Sequence, residues 1–266
     1  MRYGGTVSTE PGWLVRAGAP DSCVVVHVPH SSRELPPDVR ETIVLDDADL
    51  AVELDRMTDV DTDILVEQAA AAVPSRPWVL QNRLSRLVVD PERFADEREE
   101  MRAVGMGAVY TRTSDGRPLR GARFAGQEAL LRDYFRPYAA AMTVLVDQRI
   151  AVTGRAVIVD VHSYPARPLP YELHADGARP AICLGTDAFH TPASLVAAAE
   201  EIFSVVGDVG RDSPFAGCYV PQRHYRRDRR VTALMVEIRR DTYAEVVDRD
   251  RIVAALTHLL AFAGVE

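Results

Sequence analysis

Two histidines and a glutamate, His30, His162 and Glu237, stand at or near the ends of three short apolar segments. Short, β-branched and continuously apolar segments are typical of strands that are buried on both faces of a mostly parallel sheet. In open α/β sheets the carboxyl ends of such strands line the ligand crevice. Two imidazoles and a carboxylate delivered to that crevice indicate a metal-dependent hydrolase.

Hydrolytic zinc sites use three protein ligands, and imidazole and carboxylate groups suit zinc. We expect His30 and His162 to be two of these ligands, because each is placed where its strand is expected to give way to a loop. A histidine that is satisfied by neighbouring backbone is the alternative for His162. The residues alone leave the third ligand open between three acidic candidates, Glu34, Asp59 and Asp61.

A hydrolase of this kind also needs a carboxylate that is not a ligand, to act as general base for the attacking water. Glu237 is the candidate, because its Met-Val-Glu-Ile context predicts burial and an unpaired buried charge is costly. A structural ion pair of Glu237 with Arg83 or Arg86 is the alternative.

Two more residues on the predicted strands bear on the histidines. Asp160 precedes His162 by two residues, so it lies on the same side of the strand and could orient the imidazole. His27 lies inside the first strand, which favours a core or supporting role over a ligand role.

The segment Asn82-Arg83-Leu-Ser-Arg86 places two guanidinium groups beside an amide, between two apolar stretches. Arginine binds carboxylates with two parallel hydrogen bonds, so this segment predicts a substrate that carries a carboxylate. A solvated surface pair is the alternative for each arginine.

Composition narrows the class of protein. The 266 residues are 47% hydrophobic and 26% charged, which is ordinary for a globular chain, and the net charge of −8 argues against general nucleic-acid binding. All 31 basic residues are arginine, which excludes a lysine Schiff base. The three cysteines, Cys23, Cys183 and Cys218, form no CxxC motif and favour reduced thiols in a cytoplasmic protein. We expect neither a signal peptide nor a membrane span, while the oligomeric state is not determined.

The pattern along the chain predicts alternating strands and helices. We expect strands at 23–28, 156–161, 181–184 and 232–238, and helices at 46–72, 126–153, 192–206 and 247–263. Residues 91–125 are expected to form a loop with a small hairpin over one end of the sheet. This order predicts one α/β domain over residues 1–266, a three-layer α/β/α sandwich with a mixed, mostly parallel sheet.

Several motifs together resemble the N-formylglutamate amidohydrolase family, which is similar in turn to the zinc carboxypeptidases. The matching pieces span the chain in the family's order and are Val28-Pro-His-Ser-Ser32, Asn82 with Ser85-Arg86-Leu-Val-Val-Asp90-Pro-Glu-Arg93, Asp160-Val-His-Ser163, Gly217-Cys-Tyr219 with Arg223-His224-Tyr225, and Val236-Glu237-Ile-Arg239. No single piece is specific, but five in order form a strong pattern.

The resemblance implies a phosphorylase/hydrolase-like α/β/α fold and metal-dependent cleavage of an N-acyl amino acid, with Zn²⁺ or another divalent metal as cofactor. By the same resemblance, His30, Asp59 and His162 are metal ligands and Glu237 is the general base. Arg86 is implied as the clamp for a substrate carboxylate, with Asn82 beside it. His224 is implied to contact the oxyanion or the substrate; an exposed loop histidine is the alternative.

The chain departs from the family pattern at three positions: Ser32 stands where many members have glycine, Ala139 where members often have histidine, and Arg226 where a glycine tends to follow the His-Tyr pair. These changes bear on specificity more than on chemistry. The sequence therefore predicts an amidohydrolase acting on a small N-acyl amino acid. The alternatives are a metallopeptidase for short or cell-wall-type peptides, and a catalytically silent relative that binds an amino acid.

Overall fold

The computed structural model describes residues 12–173 and 175–265. One mixed sheet has the strand order β1-β3-β2-β4-β7-β5-β6. Its strands are β1 (Trp13–Arg16), β2 (Val24–Val28), β3 (Trp78–Asn82), β4 (Ala156–Tyr164), β5 (Ile182–Gly185), β6 (Val209–Arg211) and β7 (Val231–Arg239). The helices are α1 (Pro37–Arg40), α2 (Asp47–Met57), α3 (Thr62–Ala72), α4 (Gln127–Leu130), α5 (Arg136–Thr153), α6 (Ala193–Phe203) and α7 (Val246–Val265).

Helices cover both faces of the sheet. Apolar residues of α3, α6 and α7 pack on one face, and the α5 residues Tyr138, Met142, Leu145 and Val146 pack on the other. Strands β3, β2, β4 and β7 are parallel. Strand β1 runs antiparallel to β3, and the parallel pair β5 and β6 joins the sheet through an antiparallel pairing of β5 with β7. The expected three-layer α/β/α sandwich with a mixed, mostly parallel sheet is therefore confirmed.

The side chains alternate between the two faces of the central strands, as the pleat of a strand requires. Val157, Val159 and Val161 of β4 belong to the core under α3, α6 and α7. Ala156 and Ile158 belong to the opposite core, under α5. By the same alternation, Asp160 and His162 project from the α5 face.

The helix expected at residues 46–72 is in fact two helices. α2 ends at Met57 and α3 begins at Thr62, and Asp61 between them has a left-handed backbone with φ of 62°. Residues other than glycine seldom adopt this conformation, and here it separates α2 from α3. The break between the two helices carries Asp59 and lies beside the ends of β2 and β4.

Strand β4 is longer than expected. It pairs with β7 through Tyr164, so His162 lies inside the strand and not in a loop after it. The expected hairpin within residues 91–125 is represented by a turn at residues 113–117, isolated bridges and a short 3₁₀ helix at Glu100–Val104. Strand β3 and the edge strands β1 and β6 were not among the expected strands. Among the described residues, no helix is both long and apolar enough to cross a membrane.

Candidate active site

His162 and Glu237 are neighbours across two central strands. They are register partners in the parallel pair β4 and β7, and the alternation of side chains places both on the α5 face of the sheet. His30 comes two residues after β2, which pairs with the other side of β4. All three side chains are at least nine-tenths buried. The three apolar segments of the sequence thus deliver their polar residues to one place.

Asp59 reaches the two histidines from the break between α2 and α3. Its amide donates to the carbonyl of His30 at 3.0 Å, which fixes the break against the end of β2. Its carboxylate Oδ2 lies 3.0 Å from His162 Nδ1 and 3.6 Å from His30 Nδ1. The other two candidates for a third ligand lie elsewhere: Asp61 pairs with Arg249, and Glu34 is exposed beside a separate shallow depression.

The donor atoms of these three residues fit a divalent metal. His30 Nδ1 and His162 Nδ1 are only 3.2 Å apart, and both face Asp59. His30 Nε2 lies 2.9 Å from a carboxylate oxygen of Asp90, which favours a proton on Nε2 and leaves a lone pair on Nδ1. Two imidazole nitrogens and a carboxylate that converge in a buried space need a proton or a metal ion between them. His30, Asp59 and His162 could therefore hold a metal ion.

Asp90 connects His30 to Arg86. One carboxylate oxygen of Asp90 faces His30 Nε2, and the other accepts hydrogen bonds from Arg86 Nη2 at 2.6 Å and from the Tyr110 hydroxyl at 2.5 Å. Burial alone would raise the pKa of Asp90, but Arg86 and His30 hold that pKa well below its ordinary value. Asp90 is fully buried and remains charged, so it can orient an imidazole and a guanidinium at once.

Asp160 supports His162 from the other side. Its Oδ1 lies 3.1 Å from His162 Nε2 and 2.9 Å from His27 Nδ1, and His27 Nε2 in turn bonds to the Tyr138 hydroxyl at 2.7 Å. Burial alone would lower the pKa of His27, but Asp160 and Glu92 outweigh it and raise that pKa to about 9. His27 is therefore a buried, charged partner of Asp160, in line with a supporting role rather than that of a ligand.

Glu237 is a buried carboxylate with an unsatisfied oxygen. It is 8% exposed, and no hydrogen-bond partner for its Oε2 exists among the residues that the structure describes. Burial raises its pKa to about 7, with Asp59 and Glu92 adding to the rise and His162 and Arg86 opposing it. Arg86 pairs with Asp90, and Arg83 lines the separate shallow depression away from Glu237. A carboxylate of this kind can exchange a proton near neutral pH.

Glu92 and Arg240 also reach the cluster, although neither was expected there from the sequence. Glu92 Oε2 lies 3.2 Å from His162 Nε2, and its other oxygen is buried without a hydrogen-bond partner among the described residues. Arg240 lies 3.6 Å from Asp59 and donates to the Ser163 hydroxyl at 3.3 Å. The run Asp90-Pro-Glu-Arg93 and the arginine after β7 were the available signals, but spacing does not show where a loop folds back.

Three residues expected in the site lie away from it. Asn82 donates to the carbonyl of Pro29 at 3.0 Å and so braces the loop that carries His30, but it does not line the cleft. Arg83 is exposed and lines the separate shallow depression, next to Glu34. Arg86, by contrast, does line the cleft.

His224 is the third of these residues, and the structure places it against α5. Its Nε2 lies 2.9 Å from Asp147 of α5, and its Nδ1 lies 3.4 Å from Asp228. His224 is buried and is absent from the lining of the cleft, although Arg223 and Tyr225 on either side of it belong to that lining. The sequence showed that a histidine lay in this loop but not which way its ring turned.

The cluster opens into one large cleft of about 1310 Å³. His30, Asp59, His162 and Glu237 lie on its floor, and Arg86 and Arg240 are among its walls. A water molecule and an amide can therefore meet the cluster from solvent.

Comparisons with known proteins agree with this architecture. The profile of the N-formylglutamate amidohydrolase family matches residues 22–244. The solved structure of an N-formylglutamate amidohydrolase from Ralstonia eutropha JMP134 is similar, with 22% identity, a TM-score of 0.75, and coverage of 96% of this chain and 98% of that one. A gene product of Agrobacterium tumefaciens, Atu2144, has 17% identity and a TM-score of 0.72, with coverage of 96% and 95%.

A search of curated proteins gives no match. At the identities of the two solved structures, the likeness shows the fold alone. The family profile covers far more than half of the sequence, including every residue of the buried cluster. The chain therefore belongs to the N-formylglutamate amidohydrolase family.

Proposed function

We propose that the chain is a metal-dependent amidohydrolase that cleaves the amide bond of a small N-acyl amino acid of the formyl type. The observation that carries this proposal is the buried meeting of three metal-type donors, from His30, Asp59 and His162, beside the unpartnered carboxylate oxygen of Glu237. Membership of an amidohydrolase family supports the reaction class.

The three donors would hold Zn²⁺ or another divalent metal. When bound, the metal would polarise the amide carbonyl and acidify water. Asp90 would keep the His30 ring in the tautomer that offers Nδ1, and the negative charge of Asp160, 3.1 Å from His162 Nε2, would favour the same tautomer of His162. These buried carboxylates hold the imidazoles in place, so little reorganisation is needed when the metal or the substrate binds.

Glu237 would move the proton. Glu237 lines the same cleft as the donors, so its carboxylate would take a proton from the attacking water. It can then return that proton to the amine nitrogen as the amide bond breaks. Because Glu237 is almost fully buried, its carboxylate is not hydrated by bulk water and is a stronger base than an exposed glutamate.

Arg86 would bind the carboxylate of the amino acid. It lines the cleft, while Asp90 and Tyr110 fix its Nε and Nη2 atoms. A guanidinium held in this way presents a fixed charge to an incoming anion. Arg240 lies on the other side of Asp59 and would add to the positive potential of the cleft. We propose no substrate contact for Asn82, Arg83 or His224.

The test combines metal analysis with an amide panel. Protein purified without chelator is assayed on N-formyl and N-acetyl amino acids and on dipeptides, and its metal content is measured. We expect about one metal per chain and turnover of the N-acyl amino acids. The Glu237→Gln variant should keep its metal and lose about 10²–10⁴-fold in kcat. Glu245→Gln, at an exposed position, is the matched control and should behave as wild type.

Two outcomes contradict the proposal. Wild-type kcat in Glu237→Gln shows that another group moves the proton. Metal-loaded protein that cleaves dipeptides but no N-acyl amino acid is a peptidase, and loaded protein that cleaves neither class is a binding relative.

A further inference from the structure

The cleft is larger than its proposed substrate requires. At about 1310 Å³ it exceeds the roughly 300–1,000 Å³ that is usual for pockets that bind drug-sized ligands. N-formylglutamate is much smaller than a drug-sized molecule. Space therefore remains in the cleft after a formyl amino acid has been placed at the cluster.

Part of this space lies along α5. Ala139, Ala140 and Thr143 all line the cleft, and their spacing of three and four residues places them on one side of the helix. Their side chains are short, so this wall of the cleft is set back towards the helix backbone. A longer side chain at any of these positions would project into the cleft.

Aromatic side chains enclose the same region. Phe94 meets Tyr225 edge to face, with ring centroids 5.8 Å apart, and Tyr219 and Phe135 also line the cleft. We call the region bounded by Phe94, Phe135, Ala139, Ala140, Tyr219 and Tyr225 the distal chamber. Its walls are mainly apolar, in contrast to the charged floor of the cleft.

The distal chamber is continuous with the cluster. The amide of Tyr219 donates to Asp160 Oδ2 at 3.3 Å, and the Tyr219 ring lies 4.6 Å from the ring of His27. Asp160 is itself 3.1 Å from His162. The chamber therefore begins beside the donors that would hold the metal, where the amide of a substrate would be cleaved.

The charges around this region do not favour a polyanion in the chamber. Three arginines of the cleft are each neutralised by a carboxylate, in the pairs Arg98–Asp96, Arg136–Glu128 and Arg223–Asp147, at 2.6–2.8 Å. With these charges balanced, the apolar walls dominate the affinity of the chamber, and a hydrocarbon group gains most from entering it.

We propose that the distal chamber binds an apolar acyl group, so that the substrate is an N-acyl amino acid with an acyl chain several carbons longer than formyl. This inference rests on the proposed function, because it assigns the acyl side of the same amide. Ala140 is the residue that determines specificity here, since it is an exposed lining position with room for a larger side chain.

The test measures binding and turnover separately. The binding arm uses zinc-loaded Glu237→Gln protein and titrates N-octanoyl-L-glutamate and N-formyl-L-glutamate by calorimetry. Each buried methylene contributes about fourfold in affinity, so we expect the octanoyl compound to bind at least about 100-fold more tightly. Adding Ala140→Phe should reduce this preference by at least about tenfold. The matched control is Val152→Phe, at a 61% exposed position of the same helix outside the cleft, which should leave the preference unchanged.

The turnover arm uses the zinc-loaded wild-type chain and compares kcat/KM for the same two amides. Equal affinity for the two compounds, or an unchanged preference in the Ala140→Phe protein, refutes the proposal that the distal chamber binds the acyl group. If N-formylglutamate is cleaved and the octanoyl compound is cleaved no faster, the proposed function is supported, but the binding of an acyl group in the distal chamber is refuted. If the protein binds the octanoyl compound more tightly but cleaves neither amide, the binding of an acyl group in the distal chamber is supported and the proposed reaction is refuted.

Discussion

The Asp90→Asn variant tests the buried connection between the proposed metal ligand and the proposed substrate clamp. Asparagine has nearly the same shape as aspartate, so the change removes a charge without opening a cavity. One side of the new amide would be an NH₂ group, which cannot accept hydrogen bonds. That side must face either His30 or the pair Arg86 and Tyr110, and either choice loses contacts that are now made at 2.5–2.9 Å.

The expected losses follow from these contacts. Removing a carboxylate that orients a metal-bound histidine typically weakens metal affinity by about 10–100-fold, which is about 1.4–2.7 kcal/mol. Removing one partner of a buried ion pair costs about 3–5 kcal/mol of stability, because Arg86 keeps a charge that nothing balances. Both effects are expected from one substitution, since both carboxylate oxygens of Asp90 are in use.

Zinc affinity is measured by competition with a chromogenic chelator, and stability by urea unfolding of the metal-free protein. Asp248→Asn is the matched control: it breaks a surface pair with Arg251 at 3.2 Å, which is worth about 0–1 kcal/mol, and should not change zinc affinity. If Asp90→Asn binds zinc as tightly as wild type, Asp90 does not set the His30 tautomer, and the assignment of Nδ1 as the donor is refuted.

Three further predictions concern stability, measured by urea unfolding. Burial raises the pKa of Glu53 above its ordinary value of 4.5, so the folded state retains a proton that the unfolded state loses. The stability advantage of wild type over Glu53→Gln, which has no titratable proton here and weakens the bonds to Ser114, should therefore fall as pH rises above the ordinary glutamate pKa of 4.5. Gly185→Ala should destabilise by about 1–3 kcal/mol, because its Cβ would overlap the Gly217 carbonyl oxygen and force the backbone to shift. Phe203→Ala, in the main core, should cost about 3–5 kcal/mol.

Gly185→Ala and Phe203→Ala each have a matched control. Gly121→Ala should be nearly neutral, because the nearest atom to its Cβ would be 3.8 Å away. Val205→Ala should cost less than about 0.5 kcal/mol, since Val205 is 73% exposed. If the difference in stability between Glu53→Gln and wild type does not change with pH, Glu53 does not retain a proton in the folded state. Equal stability of Gly185→Ala and Gly121→Ala contradicts the close approach of the backbone.

The sequence alone predicted the three-layer α/β/α architecture, the strands β2, β4, β5 and β7 and the helices that cover the sheet, because hydrophobic periodicity is a local property. The apolar runs of β2, β4 and β7 required strands buried on both faces, and the amphipathic pattern before β4 required a helix. Alternation along a strand also placed Asp160 and His162 on one side. What periodicity could not show is the break at Asp61, since a left-handed backbone at an aspartate leaves no mark in the apolar pattern.

The sequence by itself determined which residues were available for chemistry: two histidines and a glutamate at the ends of buried strands. Only the tertiary structure decided which acidic residue joins them. Asp59 lies in the segment between α2 and α3, 103 residues before His162, and reaches it only in the folded chain. The tertiary structure also decided that Asp90 and Glu92 fold back onto the cluster, whereas His224 turns to Asp147. Strand ends are specified locally by apolar patterning, but the loops that complete a site are positioned by contacts distant in sequence, and spacing carries no record of those contacts.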